Sequence, residues 1–338
     1  MTSRSPAPES TVSHAAKLPA EVKPATPAEM LAALRAEPGR LYAVLDPAQD
    51  ERVLEVLRCS GQPAFSLYDG WAAVQYRTLC PYLVPLRRRG RLIEQIVERG
   101  WLRAWGIFLA SEHEPAAVRR HLRRMLRLRA ASREMVLFRF YDPLTAELFL
   151  TDPGREFEPW LFGDVARAYV LESHLGEPLT LRPDPARAAA EVRWPVALTQ
   201  LQTERHAARR RGFFIDQIER FIREDYDDRT VRLPLSVSVV RDLPRAQLRE
   251  MIDQGLRRAE ARAVTDPHDQ LAFVGMMFLK APNFDDHLVM RDAIDAAQPG
   301  YPMMKSIIER ADERVWRDVA DDYDPAAWGL GLRTWGGV

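Results

Sequence analysis

The chain has 338 residues, no formal net charge and 46% apolar residues, enough for two domains and a buried core. That balance excludes wholesale disorder, and it removes whole-protein attraction to nucleic acid or to a membrane surface as an organising force. Two cysteines, Cys59 and Cys80, cannot build a disulfide framework and read as buried reduced thiols.

Residues 1–28 are rich in Ser, Pro, Ala and Thr and lack an apolar signal core, so they read as a disordered leader on a cytoplasmic protein. A short helix over Ala28–Ala36 ends at Pro38-Gly39. Leu41–Asp46 is the compact apolar run of a buried strand. Val53, Leu54, Val56 and Leu57 then mark a helix closed by Gly61, and Ala64–Tyr68 a second strand ended by Asp69-Gly70. Leu79–Leu86 carries two prolines, which cannot donate to a ladder, so it is expected as an edge strand or extended loop.

Leu92, Ile93, Ile96 and Val97 have helical spacing up to Gly100, and Trp105–Ala110 is the next strand. Val118, Leu122, Met125 and Leu126 form the apolar stripe of a helix with Pro115 in its first turn. Met135–Tyr141 is the last clear strand. Strands alternating with helices of this length predict an α/β domain with a parallel or mixed sheet flanked by helices.

Past Leu150, Arg167–Ser173 and Pro178–Arg182 are expected to pair as a hairpin around His174–Glu177. The domains implied are a 29–183 α/β unit with this trailing hairpin, a 184–195 connector, a mainly α-helical 196–327 unit and a flexible 328–338 tail. In the helical unit Phe214, Ile218, Phe221 and Ile222 share one face, and Leu248, Met251, Ile252 and Leu256 another. Asp266 caps a helix opening at Pro267, and Met304, Ile308, Ala311, Val315 and Val319 stripe one last long helix.

Catalytic signatures are missing: there is no glycine-rich phosphate loop, no G-x-S-x-G elbow and no H-E-x-x-H pair. The best metal-like group is Asp285-Asp286-His287, with His268 and Asp269 nearby, and it reads as helix-terminal residues. No enzyme, metal or cofactor is therefore expected. The sharper feature is Arg87–Arg133, with 13 arginines against four glutamates. Arg119, Arg120, Arg123, Arg124 and Arg127 crowd the face opposite the apolar stripe, and arginine suits bidentate contact with a partner's carboxylates. The same face could grip a phosphate backbone, although no interleaved aromatics accompany it, and a solvated face is the commonest fate of such a run. Ala281–Trp328 leans the other way, with 11 acidic and five basic residues. Trp316, Trp328 and Trp335 are candidate interface anchors, the last two in a Gly-rich setting too loose for a core.

Several segments together resemble the adaptor domain of type VI secretion effector chaperones, called Tap or TEC proteins. They are Leu41–Asp46, Ser66–Gly70, Pro81–Leu86, Gly100-Trp101, Trp105–Ser111, Val118–Arg124 (with His121-Leu-Arg-Arg124) and Val136–Pro143 (with Phe138-Arg-Phe-Tyr-Asp-Pro143). The resemblance covers a third of the chain. It implies a non-catalytic cytoplasmic protein of a Gram-negative bacterium that binds a cognate toxin effector and loads it onto the VgrG spike, with no membrane partner. An enzyme with a diverged site and an Arg-rich nucleic-acid binder are the alternatives. Within the motif, Phe138 and Phe140 would share one strand face, and Arg139 and Tyr141 the other. A buried Arg139 needs a carboxylate, for which Asp46 and Asp142 are the candidates. Asp142-Pro143 also reads simply as a helix start. On this reading the spike sits on the α/β unit and the cargo on the helical unit.

Overall fold

A computed structural model describes residues 25–185, 195–296 and 302–330. The leader through residue 24, connector residues 186–194 and tail residues 331–338, with Trp335, lie outside the described residues. Helix α1 (Pro27–Ala36) begins inside the expected leader, because Thr26 and Glu29 form a reciprocal capping box. Chain order continues with β1 (Arg40–Leu45), α2 (Arg52–Ser60), β2 (Phe65–Ser66), α3 (Gly70–Gln75), β3 (Tyr82–Leu86), α4 (Arg91–Gly100) and β4 (Gly106–Ser111). Then come α5 (Pro115–Met125), β5 (Arg127–Arg129), β6 (Met135–Leu137), α6 (Pro143–Leu150), α7 (Glu158–Phe162), β7 (Ala168–Glu172) and β8 (Pro178–Leu181).

The main sheet has the order β2-β3-β1-β4-β7-β8, and every pairing in it is antiparallel. The expected parallel or mixed sheet is thus corrected. Alternating strands and helices do produce parallel relations here, but between strands that are not neighbours. β3 and β4 are joined through α4 and run parallel with β1 inserted between them, as in a split βαβ unit. β1 and β2, joined through α2, are likewise separated by β3.

Helices cover both faces, so β1 is apolar from Leu41 to Leu45. Its Leu41, Ala43 and Leu45 join α1, α2 and α4 in one cluster, while Tyr42 and Val44 join α5, α6 and α7 in another. Gly106 makes the β1–β4 approach possible: a Cβ there would lie 1.9 Å from the Val44 carbonyl oxygen. Gly61, at φ +61°, ends α2 as anticipated.

β3 is an internal strand rather than an edge. Pro85 is tolerated because β2 pairs only with Tyr82 and Leu83, which leaves β3 without an outer neighbour at the proline. Cys80 is buried, but Cys59 is exposed on α2, against the expectation for both thiols. β5 and β6 form a separate ribbon, and the chain returning at Val196–Leu198 bonds to the other side of Arg129. The 168–181 hairpin forms as expected.

The rest is mainly helical: α8 (Gln200–Asp225), a short ribbon of β9 (Thr230–Arg232) and β10 (Val237–Val239), α9 (Arg245–Ala261), α10 (Pro267–Leu279), α11 (Leu288–Asp295), α12 (Met303–Arg310) and α13 (Glu313–Asp321). Asp266 caps α10 by accepting from the His268 and Asp269 amides. The single last helix expected from the apolar stripe is two. Ala311 leaves helical geometry and Asp312 caps α13 by accepting from the Val315 amide at 2.9 Å. The side chains of Met304 and Ile308 lie outside what is described.

Packing divides within α8. His206 lies against Phe149 and Phe157 of the sheet unit, whereas Ile215, Ile218 and Ile222 belong to the helical core. The seam beside it is polar. Asp152 receives Arg205 at 2.8 Å, Arg209 donates to the Leu148 carbonyl, and Gln217 donates to the His174 carbonyl. The His174 ring stacks on Phe213 at 3.9 Å, with Nδ1 at 2.7 Å from Glu147 and Nε2 at 3.5 Å from Asp216.

Candidate functional site

The chain leaves β6 at Leu137 and turns, so Met135–Tyr141 is not one strand. The Phe138 amide donates to Leu126 O, and the Asp142 amide closes a turn onto Arg139 O. A turn abolishes the alternation of a strand, so Phe138, Phe140 and Tyr141 all enter the same core. Phe138 packs against Phe149 and Trp160, and Phe140 against Tyr141.

Arg139 finds its carboxylate in Asp46: Nη2 donates to Oδ2 at 2.6 Å, from a half-exposed guanidinium to a side chain only 1% exposed at the end of β1. Asp142 has a different task, accepting from the Thr145 amide at 2.8 Å to cap α6, with Pro143 at its first position. Burial, reinforced by Tyr68 and Asp46, pushes the Tyr141 phenol far above its usual range. Burial likewise raises the Tyr68 phenol, against the lowering effect of Tyr141 beside it. This constellation ties β1, the 66–69 loop and α6 together. It is framework.

The α5 arginines split into two groups. Arg119 Nε donates to Ser66 O at 2.7 Å and its Nη2 to Asp69 Oδ1 at 2.9 Å, while Arg123 donates to Leu67 O and pairs with Asp69. These two guanidiniums hold the loop before α3 and hold the Asp69 carboxyl below its usual range. Arg120 and Arg124 are exposed, as is Arg127, which begins β5 and does not lie on the helix as expected, and no carboxylate among the described residues pairs with these three.

What the pinned loop presents went unnoticed in the sequence. No residue of α3 is buried. Trp71 is 71% and Val74 73% exposed, with Tyr76 and Leu79 following and Phe65 exposed on the outermost strand. Trp71 and Tyr76 meet edge to face at 6.0 Å. The signal was available in Gly70–Tyr76, which holds a single polar side chain, Gln75, in a segment too short to bury a face.

The helical unit treats its candidates oppositely. Trp328 is fully buried, packed on Phe278 at 4.8 Å, with Nε1 donating to Arg232 O. It is a core residue and neither tail nor interface anchor, because the turn at Pro325–Trp328 seats it on the α10 helix despite the glycines beyond. Trp316 is half-buried beneath Lys280, whose Nζ lies 4.8 Å from the ring centroid. Asp285 is buried and Asp286 exposed, both in a turn before α11 and both held by Arg258 and Arg262 of α9. They lie just ahead of a helix, as expected, and their partners are these arginines. His268 is exposed, and no group of three metal-ligating side chains stands together among the described residues.

The molecule is thus defined as a helix-covered antiparallel sheet joined through one long helix to a helical unit. Residues 41–156 match the family model described as Domain of unknown function (DUF4123). No curated protein and no solved structure matches the chain. No helix among the described residues is long and apolar enough to cross a membrane.

Proposed function

We propose that this chain is a non-catalytic cytoplasmic adaptor that binds a cognate type VI toxin effector and loads it onto the VgrG spike. The observation that carries this reading is a coincidence of boundaries. The segments resembling effector adaptors, Leu41 to Pro143, all fall inside the matched stretch 41–156. Supporting it, the recognisable motif residues Asp46, Arg139, Tyr141 and Asp142 are engaged internally, which leaves the outward surface of the same domain for partners. An enzyme built on Asp285, Asp286 and His287 gains no support, since both carboxylates are engaged by arginines.

The test is co-purification of the tagged full chain with the toxin and the VgrG protein encoded beside its gene. A stable complex containing the toxin is expected. No complex with either protein overturns the adaptor reading.

A further inference from the structure

α3 is an unusual object in this fold. A six-residue helix is too short to be stable by itself, and exposing Trp71, Val74, Tyr76 and Leu79 gains nothing for the isolated chain. Yet it is braced at both ends. On the entering side Arg119 and Arg123 bind the carbonyls of Ser66, Leu67 and Tyr68 and the carboxylate of Asp69. On the leaving side the Tyr82 hydroxyl donates to Arg77 O at 2.7 Å, and the buried Cys80 thiol lies beside the same carbonyl. The bracing fixes the apolar side chains in position before any partner arrives, which lowers the entropy cost of contact.

Free charge on this segment and on the helix that braces it has one sign. Asp69 is the only acidic residue from Phe65 to Cys80, and two arginines engage it. Arg77 within this segment, and Arg120 and Arg124 beside the bracing pair on α5, are exposed and have no carboxylate partner among the described residues. Apolar anchors bordered by unpaired guanidiniums complement a surface carrying apolar side chains bordered by carboxylates.

We propose that α3 with Arg77, Arg120 and Arg124 forms a docking surface on the matched domain, and that its occupant is an acidic, amphipathic segment of a protein partner. The assignment rests on the adaptor reading, and it places one of the two partners on this face. Trp71 is the central anchor, and the arginines orient the segment and speed its capture.

The experiment uses the full chain, with the neighbouring toxin and spike proteins as separate probes, in a quantitative pull-down. The Trp71→Asp/Val74→Asp and Arg120→Glu/Arg124→Glu variants are compared with Leu288→Asp, which alters an exposed residue of the helical unit. Circular dichroism and melting checks are expected to be unchanged for all three. Support is a loss of at least about tenfold in capture of one probe by both α3-side variants, with Leu288→Asp unaffected; at 1.4 kcal/mol per decade this is within the range of one anchor. Capture of a probe that withstands both variants overturns the docking assignment and leaves the adaptor reading standing. Capture of neither probe by the unaltered chain overturns both. Sedimentation with anionic vesicles or shift of duplex DNA, abolished by the same variants in place of protein capture, overturns the choice of a protein occupant.

Discussion

The two units put their aromatic residues and their charges to opposite uses. In the helical unit the tryptophan that looked loosest, Trp328, is fully buried, and the acidic pair that read as helix-terminal is clamped by Arg258 and Arg262. In the sheet unit the identifying motif is internal, while a short helix nobody would choose for a core carries Trp71 outward beside unpaired arginines. The lesson is that an aromatic residue or a charge run acquires its role from what lies opposite it. Glycines near Trp328 leave room for a turn onto α10, whereas nothing among the described residues buries α3.

The contrast is sharpest in a pair of substitutions. Trp328→Ala should destabilise the protein by about 3–5 kcal/mol, as for other large-to-small core changes, whereas Trp71→Ala should stay within about 0.5 kcal/mol. Urea unfolding of both variants checks this, and equal losses would erase the distinction between the two units. Next in size, Arg139→Ala strands the buried Asp46 carboxylate at a cost of about 2–3 kcal/mol, discounted because the guanidinium is half-exposed. Arg139→Lys should restore part of it. A melting temperature unchanged by Arg139→Ala would show that the motif is not framework.

The seam between the units should be sensitive to pH. Burial opposes the His174 cation, but the hydrogen bonds it donates to Asp216 and Glu147 carry its pKa up to about 9. Burial carries the Glu172 carboxyl up to about 7 against the Leu102 amide that it accepts from. Both groups hold their protons more tightly folded than unfolded, so the stability each contributes falls as pH rises. The Glu172 contribution is complete below its unfolded pKa and fades up to about 7, and that of His174 is complete below its unfolded value and fades as pH passes about 9. His206 in the same seam and His121 on α5 act oppositely, since burial lowers the pKa of both and their contributions grow as pH rises through the imidazole range, so the effects of Glu172 and His174 are read against the unaltered chain. A series of melts reads them: Glu172→Gln should flatten the lower part of the profile and His174→Gln the upper part. Variant profiles that coincide with that of the unaltered chain would contradict both assignments. The smallest effect expected is at a cap, where Asp266→Ala should cost about 1 kcal/mol by freeing the His268 and Asp269 amides.

Much of the fold was legible because it is locally encoded. Pro115, Asp142-Pro143, Asp266-Pro267 and Gly61 mark helix ends through their own backbone chemistry, and the structure places those ends there. The Asp46–Arg139 pair was also anticipated, but from the wrong partner's burial: the Asp46 carboxylate at the end of an apolar strand is buried and demands a cation, while the guanidinium is half-exposed. Strand order was not legible. An apolar run such as Leu41–Leu45 reports that both faces are covered, but it carries no mark of which strands flank it or in which direction they run.

The candidate site divides the same way. The arginines of α5 are plain in the sequence, but their split into a pair that braces α3 and others that face solvent depends on where the 66–69 loop arrives. The break between α12 and α13, the burial of Trp328 and the exposure of α3 were likewise decided only by packing. The sequence by itself determined the caps, the turns, the periodicities and the chemistry available. Which face of each element meets a neighbour was decided by the tertiary structure, because burial belongs to two surfaces and a single segment encodes only one of them.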